Sequence, residues 1–124
     1  MITGADADVV LLAHMRDCVE RIGEYTAGER SLFETSRLVQ DAVIRNLQTL
    51  AESSQRLSDE IKATEQLPWR ELAGFRNVIV HGYLGIDLAA VWLVVEQDLP
   101  PLAAALDRMA ARAGNQSGGR AAPD

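Results

Sequence analysis

The chain has 124 residues, which is enough for one domain with a modest core but too few for two. Hydrophobic residues make up 48% of it, as in an ordinary globular protein, and the apolar runs are short and broken by charges, so we expect no membrane-spanning segment. The net charge of −6 argues against a surface covered with positive charge for nucleic acid, but leaves room for a local basic cleft.

The cysteine content and the first residues indicate a cytoplasmic protein. Cys18 is the single cysteine, so neither an internal disulfide nor a cysteine-based metal site can form within one chain. The first residues also lack the basic and apolar regions of a signal peptide.

The first two predicted elements are amphipathic helices. The first runs from about Ala5 to Ala27, and Gly28 is a plausible stop because glycine accepts the left-handed conformation. The second runs from about Glu34 to Ser54. Its apolar stripe is formed by Val39, Val43, Leu47 and Leu50.

Shorter helices are predicted from capping and proline signals. Ser58 can cap a short helix through Ile61 to Ala63, and Pro68 suits the first position of a helix that runs to about Val80. Asp87 can cap a last helix from Leu88, which Pro100-Pro101 must kink or interrupt. We predict an all-α antiparallel bundle of four main helices and one short one over residues 1–113, with residues 114–124 as a disordered tail.

The segment from Arg76 to Tyr83 holds the chemically most informative residues. Four residues separate Arg76 from His81, and Tyr83 lies two beyond it. Arginine can hold a phosphate through its fork of donors, and histidine can move protons near neutral pH. Asn77 can orient a side chain or contact a phosphate through its amide. The five-residue step places Arg76 and His81 off a common helix face, so the pair works best if the helix ends at His81-Gly82.

These residues suit cleavage of RNA without a metal or another cofactor. A base must take the proton of the ribose 2′-hydroxyl, and a cation must stabilise the charge that grows on phosphorus. His81 fits the first task and Arg76 the second. Because one histidine cannot be base and acid in the same step, a two-fold dimer with facing motifs would supply a second copy of His81.

Ordinary structural roles are also open to the same residues. An arginine and a histidine at this spacing are common, and His81 could simply be favoured at a helix end by the macrodipole. Arg76 could belong to a surface ion pair. Tyr83 could be a core aromatic with a solvated hydroxyl.

The run from Leu67 to Tyr83 resembles the central signature of the HepT-type HEPN ribonuclease toxins. That signature has a Pro-Trp pair, a small-residue turn, Arg-Asn, four residues from arginine to histidine, and a tyrosine two beyond. Further resemblance, over about residues 5 to 112, is carried by Asp41 to Leu47, Gly85-Ile86-Asp87, Val91-Trp92 and Asp98-Leu99-Pro100.

The resemblance implies a dimeric α-helical bundle with a composite, metal-independent ribonuclease site at its interface. It also implies a partner, a small nucleotidyltransferase antitoxin of the MntA type, which transfers AMP to the motif tyrosine and silences the toxin. By position, Arg76 and His81 take the catalytic roles, Asn77 supports them, and Tyr83 is the modified residue. Arg45 and Asn46 are candidates to line the site.

Residues outside the motif have structural interpretations. We expect His14 on the surface or in an interface, and Cys18 as a buried, inert thiol. Trp69 and Trp92 are expected to anchor the core or a dimer. The carboxylates Asp17, Glu20 and Glu24 more often form a solvated face than a metal site.

Two rival functions remain open at this level. The chain could be a non-catalytic helical module that partners a minimal nucleotidyltransferase, with Arg76 and His81 gripping a nucleotide. It could also be a structural dimer without a ligand. Comparing expression of the wild type and of His81→Ala, each without the partner, separates these from a ribonuclease.

Overall fold

Helices are the regular secondary structure of the described part of the chain. A computed structural model describes residues 4–69, 72 and 87–121, and no strand occurs among them, so the all-α prediction is confirmed. The helices are α1 (Gly4–Thr26), α2 (Arg30–Thr35), α3 (Arg37–Arg56), α4 (Asp59–Lys62), α5 (Leu88–Leu93) and α6 (Leu99–Ala121). A π-helical segment, Val94–Asp98, joins α5 to α6.

The first helix ends where glycine was expected to stop it. Ala27 and Gly28 both have left-handed backbones, with φ of 51° and 70°. The buried hydroxyl of Thr26 donates to the carbonyl oxygen of Ile22 at 2.9 Å and accepts from the Gly28 amide at 3.3 Å. This threonine therefore satisfies polar groups that the end of a helix leaves open.

The predicted second helix corresponds to α3, which begins a few residues after the expected start at about Glu34, and the short helix α2 before it was not predicted. Ser36 has an extended backbone between α2 and α3, and its hydroxyl accepts a hydrogen bond from the Val39 amide at 3.2 Å. The Gln40 side chain donates to the last carbonyls of α2, at Phe33 and Glu34. Side-chain caps on both sides of the break replace the backbone bonds that a continuous helix would make.

The core lies where α1 packs against both α3 and α6. The residues that close it are nearly inaccessible to solvent, and each contributes roughly 1.5–3 kcal/mol by burial. They include Leu12, Met15 and Ile22 of α1, Val43, Leu47 and Leu50 of α3, and Leu102, Leu106 and Met109 of α6. Phe33 of α2 packs on Trp92 of α5, with ring centroids 5.6 Å apart.

The proline pair interrupts the last helix by widening it. The Leu99 amide donates to the carbonyl of Val94, five residues back, directly before Pro100-Pro101. Prolines lack the amide hydrogen and crowd the carbonyl four residues earlier, so one wider turn accommodates them while the helix continues. The predicted interruption is thus confirmed as a π-helical turn.

Two further expectations concern α5 and α6: that the chain has no membrane-spanning segment, and that the folded domain ends at residue 113. The stretch Leu88–Asn115 is long and apolar enough, by length and composition alone, to cross a membrane. Its Leu102, Leu106 and Met109 lie in the core, and a core helix meets the same criteria. The backbone of α6 is helical through Ala121, beyond the boundary predicted at residue 113. Disorder of residues 114–124 in solution stays a prediction.

A buried carboxylate ties α1 to the short helix α4. The Asp8 side chain accepts hydrogen bonds from the Ser58 amide at 2.9 Å and from its hydroxyl at 2.5 Å. Ser58 in turn caps α4 by accepting from the Ile61 amide at 3.2 Å, as the sequence predicted. The cap is therefore held by a second residue, fifty positions earlier, which fixes where the chain turns towards the motif.

Candidate functional site

The four predicted site residues, Arg76, Asn77, His81 and Tyr83, lie outside the described residues. Their predicted roles stay predictions. The structure describes instead the segments on either side of the motif. The approach segment, residues 62–69 with residue 72, precedes it, and the exit segment follows it from residue 87.

The approach to the motif is held first by Trp69. Its indole nitrogen donates to the carbonyl oxygen of Lys62 at 3.2 Å, and its ring packs against the core. Leu72, one turn later, is buried. The Leu72 amide donates to the Pro68 carbonyl at 2.9 Å, so Pro68 supplies the first acceptor of a helical turn. Trp69 is thus a core anchor, as expected.

A charged cluster holds the same approach segment to α6. The Glu65 carboxylate accepts from Arg108 through two nitrogens, at 2.8 and 3.2 Å, and also from Arg112. Arg112 donates further to the Thr64 carbonyl at 3.2 Å. The hydrogen bonds from Arg108 and Arg112 lower the pKa of Glu65 to about 2, so this carboxylate is ionised at neutral pH.

The exit from the motif begins at a helix cap. The Asp87 side chain accepts from the Ala90 amide at 3.2 Å and starts α5, as predicted. Trp92 follows in the core, only 3% exposed, and its indole nitrogen donates to Glu96 at 3.2 Å. Trp92 therefore serves the core of this chain and does not add exposed surface for a dimer.

Arg45 and Asn46, which were predicted to line the site, lie on α3. Asn46 uses its side-chain amide to donate to the Ala42 carbonyl of its own helix at 2.8 Å. Arg45 is exposed. Their relation to the motif stays a prediction, because the motif lies outside the described residues.

The residues that were given structural interpretations lie where the sequence predicted. His14 is exposed on α1, at a groove of about 410 Å³ between α1 and α3. Cys18 is buried, and burial, with a contribution from Asp17, raises the pKa of its thiol. Asp17 pairs with Arg21 at 2.9 Å. Within residues 4–69, 72 and 87–121, no group of histidine, cysteine and carboxylate side chains could hold a metal ion.

Sequence reasoning missed two carboxylates, Asp8 and Glu65, that fix the approach segment. Neither has a local signal, because their partners lie 43 to 50 residues away along the chain. The one hint was chemical. Arg108 and Arg112 stand one turn apart on one helix, and such a pair of like charges requires a partner or solvent.

Comparisons with known proteins agree with the resemblance. Residues 15–109, which include the whole motif, match the family described as ribonuclease HepT-like. The chain is 30% identical over 102 residues to the "probable ribonuclease HepT" of Thermococcus cleftensis, which covers 79% of this chain and 91% of that protein. No solved structure matches the chain significantly.

Two proteins of Methanocaldococcus jannaschii are also similar. One, named "gamma-glutamylcyclotransferase and putative RNase", is 36% identical over 75% of this chain. The other, a "putative RNase", is 32% identical over 56% of it. The chain spans 43% and 65% of their lengths, so these likenesses concern only a part of each protein. Because residues 15–109 match the model of the family, the chain belongs to the ribonuclease HepT-like family.

Proposed function

We propose that this chain is a cytoplasmic, metal-independent endoribonuclease that acts as the toxin of a toxin–antitoxin pair. The observation that carries the proposal is the Arg76–His81–Tyr83 motif inside the region that matches the ribonuclease HepT-like family. The relatives' names, "probable ribonuclease HepT" and "putative RNase", support the same reaction class.

The chemistry follows from what each motif residue can do. His81 takes the proton of a ribose 2′-hydroxyl, whose oxygen attacks the adjacent phosphorus while the bond to the 5′-oxygen breaks. Arg76 donates to the phosphate oxygens and stabilises their growing charge, and Asn77 supports this contact. A second His81, from the partner copy in a two-fold dimer, or a water molecule returns a proton to the leaving oxygen. The products are a 2′,3′-cyclic phosphate and a 5′-hydroxyl.

The surface charges are compatible with RNA despite the net charge of −6. Arg16, Arg21 and Arg30 each pair with a carboxylate at 2.6–2.9 Å, which offsets their charge. The three arginines of α3 are exposed and form no ion pair with another described residue. These are Arg37, Arg45 and Arg56. Their free charge is available to phosphates.

Regulation is the second part of the proposal. A nucleotidyltransferase antitoxin of the MntA type would transfer AMP to the hydroxyl of Tyr83. The added phosphate would lie two residues from His81 and close in sequence to Arg76. It could pair with that arginine and occupy the place that the RNA phosphate needs.

The test uses the fact that the chain has two histidines. His81→Ala should lower the rate of RNA cleavage at least a hundredfold or so and abolish toxicity in cells that lack the partner, because it removes the base. Arg76→Ala should have a similar effect, because it removes the phosphate clamp. His14→Ala, at an exposed position on α1, is the matched control and should cleave like the wild type.

Cleavage should be measured with purified protein and an end-labelled RNA, with and without EDTA, and the new ends analysed for cyclic phosphate. Wild-type rates in His81→Ala would refute the assigned base. Loss of cleavage on adding EDTA would refute the metal-independent route. A folded wild-type protein that binds the nucleotidyltransferase but never cleaves RNA would establish the rival function, a non-catalytic binding module.

A further inference from the structure

The cluster of Glu65, Arg108 and Arg112 joins α6 to the chain directly before the motif. Glu65 precedes Arg76 by eleven residues. Its carboxylate is bound by both arginines, and its side chain is only 11% exposed. The arginines stand one turn apart on α6, with their side chains about half exposed. The carboxylate is thus enclosed by two guanidinium groups that remain in contact with water.

The geometry of this cluster differs from that of an isolated surface pair, which contributes little to stability. Arg108 grips both carboxylate oxygens, and such bidentate contacts fix orientation as well as distance. Arg112 bridges the carboxylate and the backbone carbonyl of Thr64. Two side chains of α6 therefore hold both the backbone and a side chain of the approach segment.

The helix that carries the two arginines is packed into the core. Leu106 and Met109, which flank Arg108 on α6, are fully buried in the core. On the other side of the cluster, Trp69 is fixed by its bond to the Lys62 carbonyl. The approach segment is therefore tied to the core at its charged end by α6 and at its aromatic end by Trp69.

We infer that Glu65 is a positioning residue for RNA cleavage: through Arg108 and Arg112 it holds the start of the motif segment in place, and with it Arg76 and His81. The inference rests on the proposed function. A catalytic group displaced by about 1 Å can cost up to a hundredfold in rate, so the tie has an effect at the reacting atoms although Glu65 does not touch them.

The kinetic consequence is specific. Loss of the tie misplaces the base and the phosphate clamp, which lowers kcat. It does not remove a contact with RNA, so KM changes little. If Arg108 and Arg112 instead bound RNA phosphates, removal of the carboxylate that pairs with them would free their charge, lower KM and steepen its dependence on salt. The two assignments thus move different parameters.

The experiment compares Glu65→Gln with Asp107→Asn in the full-length protein. Asp107 precedes Arg108 on α6 and pairs with Arg16 of α1 at 2.8 Å, so its substitution breaks an inter-helix ion pair that does not touch the approach segment. Glu65→Asp keeps the charge on a shorter side chain. Two readouts are used: kcat and KM for a short RNA at several salt concentrations, and amide hydrogen exchange of peptides covering residues 66–83.

We expect Glu65→Gln to lower kcat on the order of tenfold with KM within about twofold, and to speed exchange across residues 66–83. Asp107→Asn should match the wild type in both readouts, and Glu65→Asp should recover part of kcat. An unchanged kcat and exchange in Glu65→Gln, or an equal loss in Asp107→Asn, would overturn the inference. So would a change confined to KM. If the wild type cleaves no RNA, the proposed function fails, and hydrogen exchange alone then decides whether Glu65 holds the segment.

Discussion

At the scale of single residues, the proposed function assigns chemistry and control to different side chains of the motif. Arg76 and His81 carry the proposed cleavage, whereas Tyr83 offers a hydroxyl that the reaction itself does not consume. In this proposal, a modification at Tyr83 silences the site without altering either catalytic side chain. A substitution at Tyr83 should therefore remove silencing and leave cleavage intact.

Tyr83→Phe should cleave RNA at or near the wild-type rate and escape silencing by the nucleotidyltransferase, because it lacks the hydroxyl that accepts AMP. The measurement is intact mass after incubation with the partner, ATP and magnesium, together with toxicity in cells that express both proteins. Tyr25, partly exposed on α1, is the other tyrosine of the chain, and Tyr25→Phe should still be modified. An AMP adduct on Tyr83→Phe would move the acceptor to another residue.

Glu65 should also leave a signature in the pH dependence of stability. Its folded-state pKa of about 2 lies below the usual value of 4.5. The ion pair therefore stabilises the fold fully above about pH 4.5, and this stabilisation is lost as the pH falls through 2. The difference in unfolding free energy between the wild type and Glu65→Gln should therefore be largest near neutrality and shrink towards pH 2. Urea unfolding at a series of pH values measures it. A difference that is constant with pH would contradict the assignment.

Contacts of single residues can be predicted from the sequence only when the two partners lie close together along the chain. The caps formed by Ser58 and Asp87 were predictable, because each accepts from an amide three residues ahead. The contacts of Asp8 and Glu65 were not, because their partners come close only when distant helices pack. The candidate site itself was predicted from a motif and a resemblance, and its geometry lies outside the described residues.

At the scale of elements, side-chain caps decide where the helices divide. The break between α2 and α3 escaped prediction because Ser36 lacks the glutamate or glutamine three residues later that would complete a capping box; Val39 stands there. The apolar stripe of the sequence begins only at Val39, so hydrophobic periodicity gave no signal for a separate helix before the break. The proline pair was easier to interpret, since its missing donors must disturb any helix, although the sequence did not indicate a π-helical turn.

Ser36→Ala should destabilise the protein by about 1 kcal/mol, because the Val39 amide loses its acceptor at the start of α3. Ser31→Ala is the matched control. Ser31 lies exposed within α2 and caps no helix, so its replacement should change stability by no more than a few tenths of a kcal/mol. Urea unfolding followed by circular dichroism gives both values. Equal stability of the two variants would mean that the cap does not hold the break.

At the scale of the whole molecule, the proposed dimer needs a surface for a second copy of the chain. Of the two roles expected for Trp92, an anchor of the core or of a dimer, the core is the one that it fills, since it is buried against Phe33. The large hydrophobic residues that are exposed among those described lie elsewhere, on α1, α3 and α5. They are Val9, Val10, Tyr25, Leu38 and Leu93. The argument for a dimer thus depends on the reaction, which needs an acid as well as a base.

The chain should sediment at micromolar concentration as a species of twice its 13.5 kDa mass, because a composite site requires two copies of His81 in one groove. His81→Ala should sediment in the same way, since the substitution removes a proton carrier and not the bulk of an interface. Cleavage should fall with dilution below the dissociation constant, in parallel with the loss of the dimer. A strictly monomeric protein that retains full cleavage would exclude the shared site and assign the leaving-group proton to water.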